Sequence, residues 1–271
     1  MEIMEFIKMH GLGNDFVIID NRNQKLKISK EIITKLSDRK FGAGCDQLIT
    51  INSKTSSKED AAIEIFNPNG DKAEACGNGT RCVAKLLFDE SKKKEVSIKS
   101  DSGILNAKKK GSNISVNLGK VSTEWNKIPL SKNIDTLNIP FDIKNFSNGV
   151  AVNVGNPHIV FFGKNLKNLD LKVIGPSIEN NKLFPNKTNV EFVEIIDRKK
   201  IKMRVWERGA GITLACGSGA CASVFAGVVK NLLENNVEVQ VERGSLYIEI
   251  SNKEAIMTGP ADISYYGNIE V

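Results

Sequence analysis

One pentapeptide occurs twice in this chain, and this duplication restricts the fold more than any other feature. It reads Ala75-Cys76-Gly77-Asn78-Gly79 and later Ala215-Cys216-Gly217-Ser218-Gly219. The two cysteines are 140 residues apart (216 minus 76), which is about half of the 271-residue chain. A period of this length indicates two duplicated domains rather than a solenoid of short repeats.

The repeat extends beyond the pentapeptide. Four further blocks align in the same order at offsets of 140 to 142 residues: 13–18 with 155–160, 47–49 with 189–191, 63–67 with 203–207, and 96–103 with 237–244. Short strand patterns often coincide, so Cys-Gly-x-Gly is the anchor and the other blocks support it. We predict one domain over 1–120 and a second over 121–261, and we expect the tail, 262–271, to return to the first.

The strand-like runs alternate between apolar and polar residues, which favours mostly antiparallel sheets with one solvated face. The predicted helix from Gly219 to about Glu234 is apolar nearly all round and must be buried on most sides. Strands wrapped around a central helix would bury it. We therefore predict an α/β (α+β) fold of two pseudo-symmetric domains, each a curved, mostly antiparallel sheet or barrel around a central helix.

Four other predictions concern local structure. Ser29 is expected to cap a helix that runs through Arg39, and a second helix is expected from Gly79 to about Ser91. A third helix should begin at Asp170 and be interrupted near Gly175-Pro176. The segment 121–148 has no counterpart in the first half and is polar, so we expect a linker with added edge strands.

Composition excludes several classes of protein. The net charge of +6 comes from 38 basic and 32 acidic residues, and the lysine runs 92–94 and 108–110 border turns without interleaved aromatic residues. This pattern favours a solvated surface over nucleic-acid binding. Residues 1–13 lack the apolar core of a signal peptide, and the most apolar stretch, 220–229, is about half the length of a membrane helix. Five cysteines, an odd number, argue against a secreted disulfide framework, so we expect a cytoplasmic protein with neither membrane nor nucleic-acid partners.

The position of Cys76 and Cys216 suggests chemistry. A thiol at a helix N-terminus lies near unpaired backbone N–H groups, which should lower its pKa, and the glycines that follow expose N–H groups able to hold a carboxylate. Two such thiols on opposite sides of a bound anion fit the removal of a proton from one face of a carbon beside a carboxylate and its return to the other face. This is racemisation or epimerisation, and it needs one thiolate and one thiol at a time.

Other roles for the cysteines are less well supported. Cys45, Cys82 and Cys221 are predicted to be inert and buried. The cysteine spacings of 6 (82 minus 76) and 5 (221 minus 216), with only two histidines, do not fit a zinc site. The Cys-x-x-Cys of a redox dithiol is absent, as are a Schiff-base lysine context and the Rossmann and Walker fingerprints. We therefore expect chemistry without metal or cofactor.

Side-chain amides recur at strand starts and turns of both halves, namely Asn14, Gln47, Asn67, Asn156 and Asn189. Asparagine in a turn usually has a backbone role. Amides at aligned points of two halves are also typical of a neutral ring of donors and acceptors around a zwitterion. In this interpretation Arg208 would pair with a second carboxylate and Glu207 would accept from an ammonium group.

Six ordered motifs resemble the diaminopimelate epimerase family across essentially the whole chain. They are His10-Gly11-Leu12-Gly13-Asn14-Asp15-Phe16, Asn67-Pro68-Asn69-Gly70, Cys76-Gly77-Asn78-Gly79-Thr80-Arg81-Cys82, Gly155-Asn156-Pro157-His158, Glu207-Arg208-Gly209-Ala210-Gly211 and Ala215-Cys216-Gly217-Ser218-Gly219-Ala220. The resemblance implies two similar α/β domains with the active site in the cleft between them. It also implies conversion of LL- to meso-diaminopimelate, on the bacterial route to lysine and peptidoglycan, without pyridoxal phosphate or metal.

The resemblance also implies roles by matched motif position. Cys76 and Cys216 would be the acid/base thiols, assisted by His158 and Glu207. The reacting carboxylate would lie at Gly77-Asn78 and Gly217-Ser218, the distant amino-acid group at Asn67, Asn189, Glu207 and Arg208, and Asn14, Gln47 and Asn156 would complete the pocket. Ile212 and Ala75 stand where the family commonly has polar and larger residues, respectively.

The expected partners are the small-molecule substrate and, as an option that the sequence does not decide, a second copy of the chain in a homodimer. Two alternatives stay open at this point. One is a racemase of the same fold that acts on another amino acid. The other is a binding or redox-sensing protein in which Cys76 and Cys216 close a disulfide.

Overall fold

The computed structural model describes residues 3–24, 26–73, 76–101 and 103–270. Ala75, which precedes the first repeated cysteine, lies outside these ranges, as does Val271 at the end of the predicted tail. The chain divides into two compact units, the first comprising Met1–Val116 with Gly259–Val271 and the second Asn117–Thr258.

Strands predominate over helices in both units. The strands are β1 Ile3–Gly11, β2 Asn14–Asp20, β3 Gln47–Asn52, β4 Ala61–Phe66, β5 Glu95–Ser100, β6 Gly103–Lys110, β7 Asn113–Lys120, β8 Val150–Asn153, β9 Pro157–Phe162, β10 Asn189–Asp197, β11 Lys200–Glu207, β12 Gly211–Ile212, β13 Asn236–Val241, β14 Gly244–Ser251, β15 Glu254–Gly259 and β16 Asp262–Glu270. The α-helices are α1 Asn21–Gln24, α2 Lys30–Ser37, α3 Gly77–Ser91, α4 Leu171–Glu179 and α5 Gly217–Val229, and a 3₁₀ turn spans Leu166–Asn168.

The two units share one strand order. In the first unit β1 to β7 are neighbours in sequence order, and in the second unit the order is β8, β9, β10, β11, β13, β14, β15. Parallel pairing occurs at corresponding places, between β2 and β3 and between β9 and β10, and again between β4 and β5 and between β11 and β13. Most other pairings are antiparallel, and β16 pairs antiparallel with β1. This repeated order is the structural form of the sequence duplication.

A central helix fills the concave side of each sheet. Helix α3 contacts β1, β2, β5 and β6, and α5 contacts β8 to β11, β13 and β14. The sheets therefore curve around a helix, as predicted. Within the described strands the two ends of each order do not pair with each other, so the barrel form of the prediction is not the one adopted.

Helix α5 is buried over most of its surface, as its apolar sequence predicted, and it begins two residues earlier and ends five residues earlier than expected. The helix ends because Asn231 takes a left-handed conformation and the N–H groups of Leu232 and Leu233 donate to the carbonyl of Gly227. Among the described residues, no helix combines the length and the apolar character needed to cross a membrane.

Helices α2 and α4 can be compared with the predictions made from their sequences. Ser29 caps α2, and its side chain accepts from the N–H of Ile32 at 3.3 Å, although the helix ends two residues before Arg39. The predicted interruption at Gly175-Pro176 is wrong, because α4 runs through both residues. The Trp206 ring packs against Gly175, where an added Cβ would be 2.4 Å from it, and the N–H of Asn180 donates to the carbonyl of Pro176 at 3.1 Å, so the helix continues past the proline.

The segment 121–148 is not a linker with edge strands. It forms only isolated bridges to its neighbours, and Ile128 and Ile139 are buried in a cluster with Phe161 and Phe192. The segment therefore covers one side of the core of the second unit. Its apolar residues are scattered among polar ones without a strand or helix period, which conceals this role in the sequence.

Candidate active site

Cys76 and Cys216 have the same local geometry. Each is the N-cap of the central helix of its unit, and each sulfur accepts the N–H of the glycine three residues later, Gly79 or Gly219, at 3.4 Å. Serine, threonine, aspartate or asparagine usually fills this position. A thiol used as a helix cap in both units is therefore an unusual and repeated feature.

The first turn of each helix also offers an anion site. The N–H groups at the start of an α-helix have no carbonyl acceptor within the helix, and the helix dipole places positive charge there. In α3 these groups belong to Gly77 and Asn78, and in α5 to Gly217 and Ser218. Each thiol thus lies beside backbone donors suited to a carboxylate.

Neutral amides surround the thiol of the first unit. Cys76 is partly exposed, and its sulfur is 3.8 Å from Oδ1 of Asn14. The same oxygen accepts from Nδ2 of Asn78 at 3.0 Å. Gln47 donates to Oδ1 of Asn67 at 3.2 Å, so the predicted pocket residues of this unit form two small amide groups.

Acidic groups surround the thiol of the second unit. The negative charge of Glu207 acts on Cys216, and the Glu207 carboxylate accepts from the hydroxyl of Thr213. Ser218 Oγ is 3.6 Å from the Cys216 sulfur. The two thiols therefore share their backbone geometry but differ in the side chains beside them.

A buried histidine–carboxylate pair lies in the same unit. His158 Nδ1 is 2.7 Å from Oε1 of Glu191, and neither side chain is exposed. The other ring nitrogen is 2.8 Å from Oδ1 of Asn156. The structure thus brings His158 and Asn156 together, as their adjacent motif positions suggested, and adds Glu191.

Burial raises the pKa of the Cys216 thiol well above its usual value, and the negative charges of Glu207 and Glu191 add to this effect. Hydrogen bonds from Ser218 and from the Gly219 N–H act in the opposite direction but are weaker. The N–H at the helix N-terminus therefore lowers the pKa of this thiol, as predicted, but burial and the two carboxylates outweigh it and the net shift of the pKa is upwards. Burial also raises the pKa of the Glu207 and Glu191 carboxyls. At neutral pH Cys216 is consequently a protonated thiol.

The other three cysteines are buried, as predicted. Cys45, Cys82 and Cys221 are 2%, 0% and 0% exposed. Burial raises the pKa of Cys82 to about 12, so this thiol is unreactive near neutral pH.

Hydrogen bonds fix the loop after β11. The amide of Asn189 donates to the carbonyl of Pro157 and accepts from the N–H of Arg208, both at 2.9 Å. Glu179 accepts from the N–H of Gly209 at 3.0 Å. The Arg208 guanidinium, partly exposed, donates to a backbone carbonyl at 3.2 Å. Asn189 therefore positions the backbone of Arg208, and its contact with substrate stays a prediction.

Glu191, Glu179 and Asp46 were not recognised from the sequence. Glu191 had a usable signal, since it lies on β10 between Val190 and Phe192 in a run that is buried throughout. A carboxylate in such a run requires a buried partner. Within the described ranges, no group of three or more His, Cys, Asp and Glu side chains is arranged to hold a metal ion.

Comparisons with known proteins identify close relatives along the whole chain. The diaminopimelate epimerase family model matches residues 6–124 and 150–264. The diaminopimelate epimerase of Pelagibacter ubique is 47% identical over 278 residues, covering 100% of this chain and 99% of that protein. The diaminopimelate epimerase of Carboxydothermus hydrogenoformans is 42% identical over 273 residues, covering 97% and 98%.

Solved structures show a shared fold at much lower identity. A predicted epimerase from Pseudomonas aeruginosa superposes with a TM-score of 0.71 at 13% identity, covering 99% of each chain. A hydroxyproline epimerase from Agrobacterium vitis gives a TM-score of 0.69 at 12% identity, covering 99% of this chain and 91% of that one. At such low identity these structures establish the fold alone.

Proposed function

Because this chain belongs to the diaminopimelate epimerase family, we propose that it interconverts LL- and meso-diaminopimelate with Cys76 and Cys216 as paired proton carriers. The observation that carries the proposal is the thiol used as N-cap of the central helix in both units. Each unit supplies one thiol beside one set of backbone donors, which is what a two-sided proton transfer next to a carboxylate requires.

The binding roles follow from the donors and acceptors of the site. The reacting carboxylate accepts from the first-turn N–H groups of Gly77-Asn78 and Gly217-Ser218. The planar guanidinium of Arg208 binds the distant carboxylate in a bidentate manner. The proposed pocket is completed by the amides and the carboxyl assigned from the motifs: Asn14, Gln47, Asn67, Asn156, Asn189 and Glu207.

The proton transfer is redox-neutral. A thiolate removes the α-proton, and the electron pair of the C–H bond moves into the carboxylate, where the helix N–H groups stabilise the added charge. The opposite thiol then gives its proton to the other face of the carbon. One S–H bond forms and one breaks, so the pair ends the reaction with its protonation states exchanged.

The second unit supports the acid role of its thiol. The raised pKa keeps Cys216 protonated before substrate binds. Glu207, whose negative charge acts on Cys216, accepts the proton of this thiol when the roles have to be reset, and the buried His158–Glu191 pair supports this acidic group. We also place the protein in the cytoplasm, since two reduced thiols are maintained there.

Isotope exchange tests the proposal directly. The reduced protein is incubated with LL-diaminopimelate in deuterated water, and deuterium is expected at the α-carbon of the meso product. Cys76→Ala and Cys216→Ala should each lower turnover by more than about 100-fold. Cys82→Ala and Cys221→Ala are matched controls in the same two helices and should retain turnover, because both residues are buried in the helix packing.

The outcomes separate the alternatives. Folded, reduced protein that binds diaminopimelate without deuterium incorporation would favour a binding or redox-sensing role. Turnover of another amino acid, with none of diaminopimelate, would indicate a different racemase. A normal rate in either Cys76→Ala or Cys216→Ala would refute the paired mechanism.

A further inference from the structure

The amide of Asn14 has one end at Asp46 and the other at Cys76. Its Nδ2 donates to Oδ2 of Asp46 at 3.0 Å, and its Oδ1 lies 3.8 Å from the Cys76 sulfur and accepts from Asn78 at 3.0 Å. A carboxylate only accepts hydrogen bonds, so the amide nitrogen must face Asp46. The amide oxygen consequently faces the thiol.

Asp46 cannot easily swing away from this position. Its Oδ2 also accepts the N–H of Asp15 at 3.1 Å, and its Oδ1 accepts from Arg39 at 2.6 Å. Its own N–H donates to the Asp15 carboxylate at 3.0 Å, and that carboxylate is paired with Lys8 at 2.6 Å. The network therefore fixes the carboxylate that orients Asn14.

We propose that Asp46 is a positioning residue that sets the protonation of Cys76 by fixing the amide orientation of Asn14. An amide oxygen accepts from the neutral S–H group and disfavours the thiolate, whereas an amide nitrogen donates to the thiolate and favours it. Asp46 thus shifts the equilibrium of Cys76 towards the thiol in the substrate-free protein, so that the thiolate of the proposed proton transfer is its minor form. The consequence for turnover rests on the proposed function, but the protonation of the thiol does not.

Other charged or titratable groups lie in the Asp46 network, on α3 itself or on nearby strands. They are Lys8 and His10 on β1, Asp15 on β2, Arg39 after α2, Arg81 and Cys82 on α3, and Asp262 on β16. All of them stay unchanged in the variants below. Removing Asp46 also removes a negative charge, which by itself favours the thiolate, so the experiment must separate charge from orientation.

Three variants make this separation. Asp46→Asn removes the charge but keeps an oxygen that accepts from Asn14, whereas Asp46→Ala removes both and releases the amide. Asp20→Ala is the matched control, because the Asp20 side chain is about as exposed as that of Asp46 and also pairs with an arginine, Arg22, in the same unit. Alkylation of Cys76 by iodoacetamide is followed by peptide mass spectrometry as a function of pH, and circular dichroism checks the fold.

We expect the midpoint of the Cys76 profile to move down by about one pH unit in Asp46→Ala, so that alkylation near pH 7 is roughly tenfold faster. The midpoint should move less in Asp46→Asn and should not move in Asp20→Ala. Equal shifts in Asp46→Ala and Asp46→Asn would show an effect of charge alone and overturn the proposal, as would an unchanged profile in Asp46→Ala.

Asn14→Ala keeps the proposal testable if Asp46→Ala does not fold. It leaves the Asp46 ion pair with Arg39 in place and removes the oxygen that faces the sulfur. The midpoint should again fall, by less than in Asp46→Ala, because no nitrogen replaces the oxygen. In the Asn14→Ala background the Asp46→Ala and Asp46→Asn profiles should coincide. An unchanged midpoint in Asn14→Ala, or separate profiles in that background, would contradict the role of Asn14.

Discussion

Ile49 and Glu191 occupy corresponding positions beneath the central helices of the two units. A Cβ added at Gly79 would lie 2.5 Å from Cδ1 of Ile49, and one added at Gly219 would lie 2.7 Å from Oε1 of Glu191. The two residues are 142 positions apart, an offset found elsewhere in the repeat. The first turn of one central helix therefore packs on an apolar side chain, and the first turn of the other packs on a buried acid.

The residues next to Ile49 and Glu191 also differ, one being apolar and the other ionisable. Phe16, beside Ile49, stands 142 residues before His158, the hydrogen-bond partner of Glu191. An apolar pair in the first unit thus corresponds to a buried ionisable pair in the second. Because buried charges are tolerated only with partners, the histidine and the acid should be removable together but not singly.

We predict that His158→Phe with Glu191→Ile, which copies the first unit, folds with a stability within about 1.5 kcal/mol of the unmodified chain. Glu191→Ala alone should cost about 3 kcal/mol, since it leaves His158 buried without its carboxylate. Urea unfolding measures both values. Turnover of the double variant should fall on the order of 100-fold or more, as expected for lost acid–base support. Full turnover in the double variant would remove the buried pair from the mechanism.

The extent to which the sequence predicted this structure depends on how local each signal was. The fold class is confirmed, because strand alternation and the apolar sequence of α5 are properties of single elements. The interruption at Pro176 and the linker at 121–148 were wrong, because both depend on distant packing partners such as Trp206 and Phe192.

The candidate site shows the same division. The position of Cys76 and Cys216 at helix N-termini followed from the residues beside them, and the structure adds that each sulfur is the N-cap. The raised pKa of Cys216 could not be predicted from the neighbouring residues. The burial of this thiol depends on several helices and strands that pack around it, and the charge of Glu191 comes from a separate strand. The assigned binding roles stay predictions until they are measured.

A second prediction concerns the carboxyl beside Cys216. After burial, the negative charge of Glu207 is the largest cause of the raised pKa of the Cys216 thiol. Glu207→Gln removes that charge, so the thiol should ionise at lower pH, and alkylation of Cys216 should rise earlier in a pH titration. Peptide mass spectrometry after iodoacetamide treatment measures the profile. Glu238→Gln, which breaks a salt bridge with Lys200 in the same unit, is the control, and its profile should match that of the unmodified chain.

A third prediction concerns acid stability. Burial alone would raise the pKa of Asp15, but hydrogen bonds and charges of Arg39 and Lys8 outweigh it and hold the pKa at about 2. A carboxyl with a lowered folded-state pKa contributes stability above its unfolded value, near 3.8, and loses it as the pH falls towards 2. The contribution is about 2 kcal/mol at neutral pH.

Asp15→Asn should therefore lose about 2 kcal/mol at pH 7 and show a weaker loss of stability between about pH 4 and pH 2. Urea unfolding at several pH values measures the slope. Asp71→Asn is the matched control, since its salt bridge with Lys30 is exposed on both sides and should contribute little. An unchanged slope in Asp15→Asn would mean that another carboxyl controls acid unfolding.

A fourth prediction concerns the distant carboxylate of the substrate. The structure holds the backbone of Arg208 through Asn189, so the guanidinium extends from a fixed point. Lysine keeps the charge but cannot form two parallel hydrogen bonds with a carboxylate. Arg208→Lys should raise KM for diaminopimelate about tenfold with a smaller change in kcat, and Arg208→Ala should raise KM further, because binding away from the reacting carbon is lost.

The comparison substrate for Arg208 is an analogue of diaminopimelate that lacks the distant carboxylate. The unmodified chain should turn it over poorly, and Arg208→Ala should affect it little, since the lost contact is absent in both cases. Measuring kcat/KM for the unmodified chain and for Arg208→Ala, each with both substrates, therefore gives the contribution of the contact between Arg208 and the distant carboxylate. If Arg208→Ala lowers kcat/KM equally for both substrates, Arg208 stabilises the site as a whole, and the distant carboxylate is recognised elsewhere.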